Sequence, residues 1–225
     1  MMVHQVSALS LPDAWIEVLK LIRSRGVEFK VERGSERART RKVAALIHVE
    51  HPELRPLIHE RAPYTLSYIY QYYLEYVATG ERKPGEAYTY GERLRKPVDQ
   101  VEVVVKRLKE VKGDRQCTMV VRLPNDLLLD DPPCLTVIDT EVLDDKLWFY
   151  VYFRSWDAYA GFPANMAALQ LLKEEMAAEI GVEPGPTVAF SKNLHVYERE
   201  EELVNQVLEP PSTPLRGLPA LKKPG

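Results

Sequence analysis

Two runs of strand-forming residues, 134–142 and 147–154, flank the pair Asp144-Asp145. Such a pair between two apolar-aromatic runs predicts a tight hairpin turn. The hairpin constrains the chain at long range. With the turn near Asp144, Cys134 on the outgoing strand and Arg154 at the end of the returning one lie roughly level. A thiol at the head of one strand is thereby set beside a guanidinium at the foot of the other.

The rest of the chain supplies partners for that hairpin. Residues 11–25 read as a helix with Asp13 able to cap it, because Trp15, Val18, Leu19 and Ile22 recur at helical spacing before Gly26. Residues 27–31 and 43–49 read as strands, with a polar, arginine-rich loop at 32–42 between them. Tyr68, Tyr72 and Tyr76 recur every fourth residue, so 64–77 reads as a helix ending near Gly80, its tyrosines packing together. Residues 99–112 form a strong helix closed by Gly113, and 117–123 a buried strand. A long helix at 163–180 ends at Gly181, a last strand spans 188–197, and a charged helix spans 198–208. The expected fold is α/β (α+β), a single domain over residues 1–209 on a large, mostly antiparallel or mixed sheet flanked by helices. A proline-rich tail is expected over 210–225.

Composition removes several functions. Thirty Lys+Arg stand against 33 Asp+Glu, a formal charge of -3, which argues against bulk nucleic-acid binding. No apolar run approaches the roughly 18 residues of a membrane span. The first residues lack a basic start before a long apolar stretch, so no signal peptide is expected and a cytoplasmic protein is. Cys117 and Cys134 make neither a disulfide framework nor a CxxC metal site.

Chemistry concentrates late in the chain. Pro132-Pro133 fix the backbone just before Cys134, and an arginine near a thiol favours the thiolate. Arg154-Ser155 offers a planar fork beside a hydroxyl, a good phosphate pair. Asn165, near the start of the long helix, carries an acceptor and two donors, enough to read a base edge, although an isolated asparagine there is more often a cap. His195 and Tyr197 alternate on a strand and share one face.

Taken together, Pro133-Cys134, then Arg154-Ser155-Trp156-Asp157, then Gly161-Phe162-Pro163-Ala164-Asn165, then His195-Val196-Tyr197 resemble the ordered motifs of the thymidylate synthase family. Tyr90-Gly91-Glu92-Arg93-Leu94-Arg95 and Asp99-Gln100 resemble another stretch of it. The resemblance covers roughly residues 88–197 and looks like a short, archaeal-type branch. It implies methylation of dUMP to dTMP through a cysteine adduct at C6. The implied one-carbon donor is 5,10-methylene-tetrahydrofolate, or a methanopterin or other modified folate, and no metal is implied. Cys134 matches the nucleophile and Tyr90 a tyrosine that helps remove the C5 proton. Arg154 and Ser155 match phosphate ligands, with Arg115 reaching across a homodimer interface. Asn165 matches the reader of the pyrimidine edge, His195 and Tyr197 the pair near the sugar, and Asp157 an orienter of the pterin. Arg39 or Arg41 is a candidate for a further phosphate contact.

The sequence also departs from that pattern. Leu135 follows the cysteine where the family usually has histidine, and Gln116 stands beside Arg115 where a second arginine is usual. The family's water-organising glutamate has no clear counterpart; Glu60 and Glu75 are the candidates. The segment after Tyr197 is short and proline-rich, so the family's closing segment over the pterin is expected to be missing or built otherwise. Two alternatives therefore stand beside the synthase: a dUMP, dCMP or CMP hydroxymethylase of the same fold, and a non-catalytic nucleotide- or RNA-binding relative.

Overall fold

A computed structural model describes residues 2–33 and 36–209. Its strands are β1 (Val3–Ala8), β2 (Val27–Arg33), β3 (Glu36–Val49), β4 (Thr118–Val120), β5 (Leu135–Leu143), β6 (Lys146–Phe153), β7 (Trp156–Asp157) and β8 (Glu183–Tyr197). All eight belong to one sheet, ordered β1-β3-β8-β6-β5-β4, with β2 pairing β3 and β7 pairing β8. The sheet is mixed. β1–β3, β6–β8 and β7–β8 are parallel and the other pairs antiparallel.

The helices are α1 (Leu11–Arg25), α2 (Leu66–Tyr72), α3 (Tyr90–Arg95), α4 (Gln100–Glu110), α5 (Gly161–Ile180) and α6 (Glu201–Leu208). α2 runs on without a break into a wider π-helical stretch, Tyr73–Ala78. α5 is the centre of the helical layer: it packs on β6 and β8 and is touched by α1, α2 and α4. Thirteen of its 20 residues are buried, which is why it lacks a one-sided apolar stripe. Gly181, in the left-handed region at φ 84°, caps it. No helix among the described residues is long and apolar enough to cross a membrane.

The hairpin expected from Asp144-Asp145 is β5–β6. Both aspartates adopt positive φ (52° and 55°), the geometry that matches the twist of paired strands. Along β6, Leu147, Phe149, Val151 and Phe153 are buried under the helices, while Trp148, Tyr150 and Tyr152 alternate onto the other face and are only half-buried. There Trp148 stacks on His48 and Tyr150, and Tyr152 stacks on Phe190. Leu46 and Val120, facing outward, are exposed.

Several local expectations need correction. The polar segment 32–42 is not a loop: β3 begins at Glu36 and pairs with β2 in a long hairpin arm. Its cohesion comes from the backbone ladder and from Lys42 Nζ lying 4.1 Å from the centre of the Phe29 ring. The N-cap of α1 is Ser10, whose hydroxyl accepts from Asp13 N; Asp13 sits in the first turn. Gly113 does not close α4, which ends at Glu110 with Val111 extended behind it. The strand expected at 117–123 is only Thr118–Val120. The expected tail at 210–225 lies outside the described residues.

Candidate functional site

The β5–β6 hairpin builds the first half of the site. Arg154 N donates to Cys134 O at 2.9 Å, so the two residues stand side by side, roughly level as the turn position predicts once a one-residue bulge between Leu135 and Val137 shifts the register. The Arg154 guanidinium turns back beneath the prolines, donating from Nε to Pro133 O at 3.0 Å and also to Pro132 O. It is anchored, yet more than half of its five N–H groups remain for a ligand. Asp131, 3.9 Å away and almost fully exposed, adds little. Burial pushes the Cys134 thiol above its ordinary range, and Arg154 opposes that shift.

Tyr90 opens α3, whose start is capped by the buried Thr89 accepting from Glu92 N at 3.0 Å. Its hydroxyl oxygen accepts from Leu135 N at 3.4 Å, immediately after the thiol-bearing residue. Burial holds this phenol well above the ordinary tyrosine range, so it is neutral and able to donate. Gly91 comes next because nothing larger fits: a Cβ there would lie 1.9 Å from Thr79 O. Tyr90 also ends a tyrosine column. Tyr64, Tyr68, Tyr72 and Tyr76 stack in succession, and Tyr76 meets Tyr90 edge-on at 5.2 Å. The every-fourth spacing is therefore packing, as expected, but packing that lines the site.

The second half comes from the β6–β7–α5 turn and from β8. Ser155 Oγ accepts from Asn193 Nδ2 at 2.8 Å. Asn193 O lies 3.0 Å from His195 Nδ1, and the His195 ring meets Tyr197 edge-on at 4.9 Å. His195 and Tyr197 thus share a face, as alternation required. Asp157 pairs with His195 in the β7–β8 ladder. Its carboxylate accepts from the backbone N of Tyr159, Ala160 and Gly161, which makes it the N-terminal anchor of α5. Asn165 is not a cap. Its Oδ1 accepts from Trp156 Nε1 at 3.0 Å and its Nδ2 donates to the Tyr72 hydroxyl at 2.8 Å.

Cys134, Tyr90, Arg154, Ser155, Asp157, Asn165, His195 and Tyr197 are linked through these contacts. Arg115 is elsewhere: exposed, beside Asp139, Thr140, Glu141 and Tyr150. Arg39 and Arg41 flank Thr40, the β3 partner of Tyr197, and are engaged by Glu198 and Glu201 respectively. Glu60 faces a hollow with Ser10, Pro12 and His59. Glu75 is exposed and bound to Lys83 and Gln71. Tyr72 is the group from the α2 helix that reaches Asn165. Sequence reading passed over Tyr72, Trp156 and Asn193 as site residues. Tyr72 and Trp156 carried a signal, the every-fourth tyrosine face and a place inside the Arg154–Asp157 run; Asn193 carried none. Among the described residues, no group of three or more His, Cys, Asp or Glu side chains is placed to hold a metal ion.

Comparison with known proteins adds independent findings. The family described as thymidylate synthase matches residues 65–223. A protein of Methanococcoides burtonii named "Putative thymidylate synthase" is 30% identical over 212 residues, covering 91% of this chain and 94% of its own. Proteins of the same name from Methanosarcina acetivorans (208 residues; 91% and 94% covered) and Methanothermobacter marburgensis (225 residues; 92% and 99%) are each 31% identical.

Proposed function

The chain belongs to the thymidylate synthase family, and from that premise we propose that it converts dUMP to dTMP, with Cys134 as the nucleophile. The observation that carries this reading is the Cys134–Arg154 pairing across the β5–β6 hairpin, with Tyr90 at its edge and Asn165 close by.

In this reading Arg154 and Ser155 hold the phosphate, Arg154 through its unused N–H groups and Ser155 through a hydroxyl positioned by Asn193. His195 and Tyr197 hold the sugar. The Cys134 thiolate adds to C6 of uracil. Negative charge then grows on O4, and the Asn165 amide donates to it while accepting from N3–H. Tyr90, held neutral, relays the C5 proton rather than acting as a strong base. Addition at C6 makes C5 the carbon nucleophile of the second step.

A methylene-tetrahydropterin, when bound, supplies the one-carbon unit and the hydride. Asp157 fits the task of orienting it: its carboxylate has about four acceptor positions, and three backbone N–H groups occupy it. Product formation with each donor decides between methylene-tetrahydrofolate and a methanopterin-type analogue.

We also propose a homodimer joined through the aromatic face of the sheet, one domain over residues 1–209 and a cytoplasmic setting. Arg115, remote from Cys134 in its own chain, then serves the partner's phosphate. Sedimentation of an active monomer would exclude that role.

The test is product mass. The protein is incubated with dUMP, and separately dCMP, with each methylene donor in turn. A gain of CH2 on dUMP is expected. A gain of CH2O would mean that water captures the methylene, the hydroxymethylase alternative, which the bonding of Asn165 to Tyr72 rather than to a glutamate favours. Nucleotide binding without any product would support the non-catalytic relative.

A further inference from the structure

Asn165 faces the site between two partners of different capability. Trp156 Nε1 lies 3.0 Å from Oδ1, and the Tyr72 hydroxyl lies 2.8 Å from Nδ2. A hydroxyl can donate or accept, so Tyr72 suits the amide either way round. An indole N–H can only donate. Turning the amide over would set Nδ2–H against Nε1–H, leaving a buried donor with no acceptor. The indole has no room to withdraw. Trp156 is 1% exposed, stacked on Phe153 at 3.9 Å and 6°, with Phe162 at 4.7 Å. One orientation of Asn165 is therefore imposed by a residue that need not touch any ligand.

That orientation has a meaning for pyrimidines. After Trp156 and Tyr72 are served, Asn165 retains one lone pair on Oδ1 and one N–H on Nδ2. Uracil offers the complement, a donor at N3 and an acceptor at O4. Cytosine offers the reverse, an acceptor at N3 and a donor at N4. A freely turning asparagine could read both bases by inverting its amide, while the sugar and phosphate stay fixed at the other end. We propose that Trp156 is a specificity-positioning residue: its indole N–H locks the Asn165 amide in the sense that accepts uracil and rejects cytosine. This inference rests on the dUMP reading and deepens it. Tyr72 steadies the amide without choosing its sense.

The test compares dUMP and dCMP affinity by titration calorimetry in the wild type, Trp156→Phe and Tyr72→Phe. The wild type is expected to prefer dUMP. Trp156→Phe should narrow that preference by roughly tenfold, about the effect of one buried hydrogen bond, mainly by gaining dCMP. Tyr72→Phe should weaken both nucleotides and leave their ratio within about twofold. An unchanged ratio in folded Trp156→Phe overturns the inference alone, as does an equal narrowing in Tyr72→Phe. A wild type that binds neither nucleotide overturns the dUMP reading and this inference with it. Should Trp156→Phe not fold, the indole N–H signals decide, since the chain has three tryptophans. The Trp156 signal should be protected from solvent exchange and lose protection in Asn165→Ala. Equal protection with and without the amide overturns the lock.

Discussion

Gly91 offers a severe test of how the site is assembled, because at this residue the backbone of α3 lies directly against the backbone at the end of the π-helical stretch. A Cβ at residue 91 would sit 1.9 Å from Thr79 O, 2.8 Å from Val77 O and 2.9 Å from Thr79 C. An ordinary contact needs at least about 3.3 Å, so Gly91→Ala requires a displacement of about 1.4 Å. The obstacle is backbone, so no rotamer change relieves it. Overpacking of this kind costs about 3 kcal/mol, and the better helix propensity of alanine returns about 1 kcal/mol. The net loss is about 2 kcal/mol, or roughly 4–8 °C in melting temperature for a chain of this size. Tyr90 moves with α3, and its 3.4 Å contact to Leu135 N is the first to break. Activity should therefore fall more than stability: at a temperature where the variant is fully folded, dUMP turnover should drop at least about tenfold, the effect of one misplaced catalytic group. Gly113→Ala is the control, since a Cβ there meets nothing within 4 Å and the backbone is not left-handed. Thermal unfolding and turnover of both variants check the reasoning. A Gly91→Ala protein that melts and turns over like Gly113→Ala would refute it.

Other consequences can be tested together. Burial raises the Cys134 thiol and Arg154 pulls it back, so Arg154→Met should slow iodoacetamide modification of Cys134 at neutral pH several-fold, with the rate of both proteins climbing as pH rises; equal rates would show that the guanidinium does not poise the thiol. Lys173 is buried on α5, bonded to Gly185 O, Pro186 O and Thr187 Oγ1, and burial pushes its ammonium down to about 7. Its folded value lies below the unfolded one. Below about pH 7 both states are charged and the native state bears the cost of a buried ammonium; above it only the unfolded state keeps the proton, so the native state gains stability as pH rises toward the unfolded value. Lys173→Met removes that gain, and its stability relative to the wild type in denaturant melts should be about 2 kcal/mol less favourable at about pH 9 than at about pH 6. Asp157→Asn loses one of the acceptors that anchor α5 and should lower stability by about 1–2 kcal/mol whether or not a pterin is present, a differential melt distinguishing this from a purely ligand-binding role.

The legibility of each element in the sequence tracks the range of the forces that hold it. α1 and β6 were legible because each buries a face whose period is written in consecutive residues, and α5 because a long apolar run ends at Gly181; the Asp144-Asp145 turn set the hairpin register, which a bulge between Leu135 and Val137 shifts by one residue to bring Arg154 to Cys134. The arm of β2 and β3 was misread because, of residues 38–42 on β3, only Thr40 is buried; ladder bonds hold it, and those have no periodic signature. β1 escaped notice for a related reason, burying only Val6. The site divides along the same line. Cys134, Arg154, Ser155, Asp157, Asn165, His195 and Tyr197 stood in short runs whose order could be compared with a family. Tyr72 meets Asn165 from 93 positions away and Asn193 meets Ser155 from 38. The every-fourth spacing puts Tyr68, Tyr72 and Tyr76 on one face but says nothing of what crosses it. α5 crosses at Asn165, and that crossing separates Tyr72 from two neighbours of identical type and spacing. Trp156 is the sharper case. Its burial against Phe153 and Phe162 accounts for a large aromatic there but not for a polar N–H inside the stack. Beyond its larger ring, tryptophan adds an N–H that can donate but not accept, and Asn165 is where that property acts.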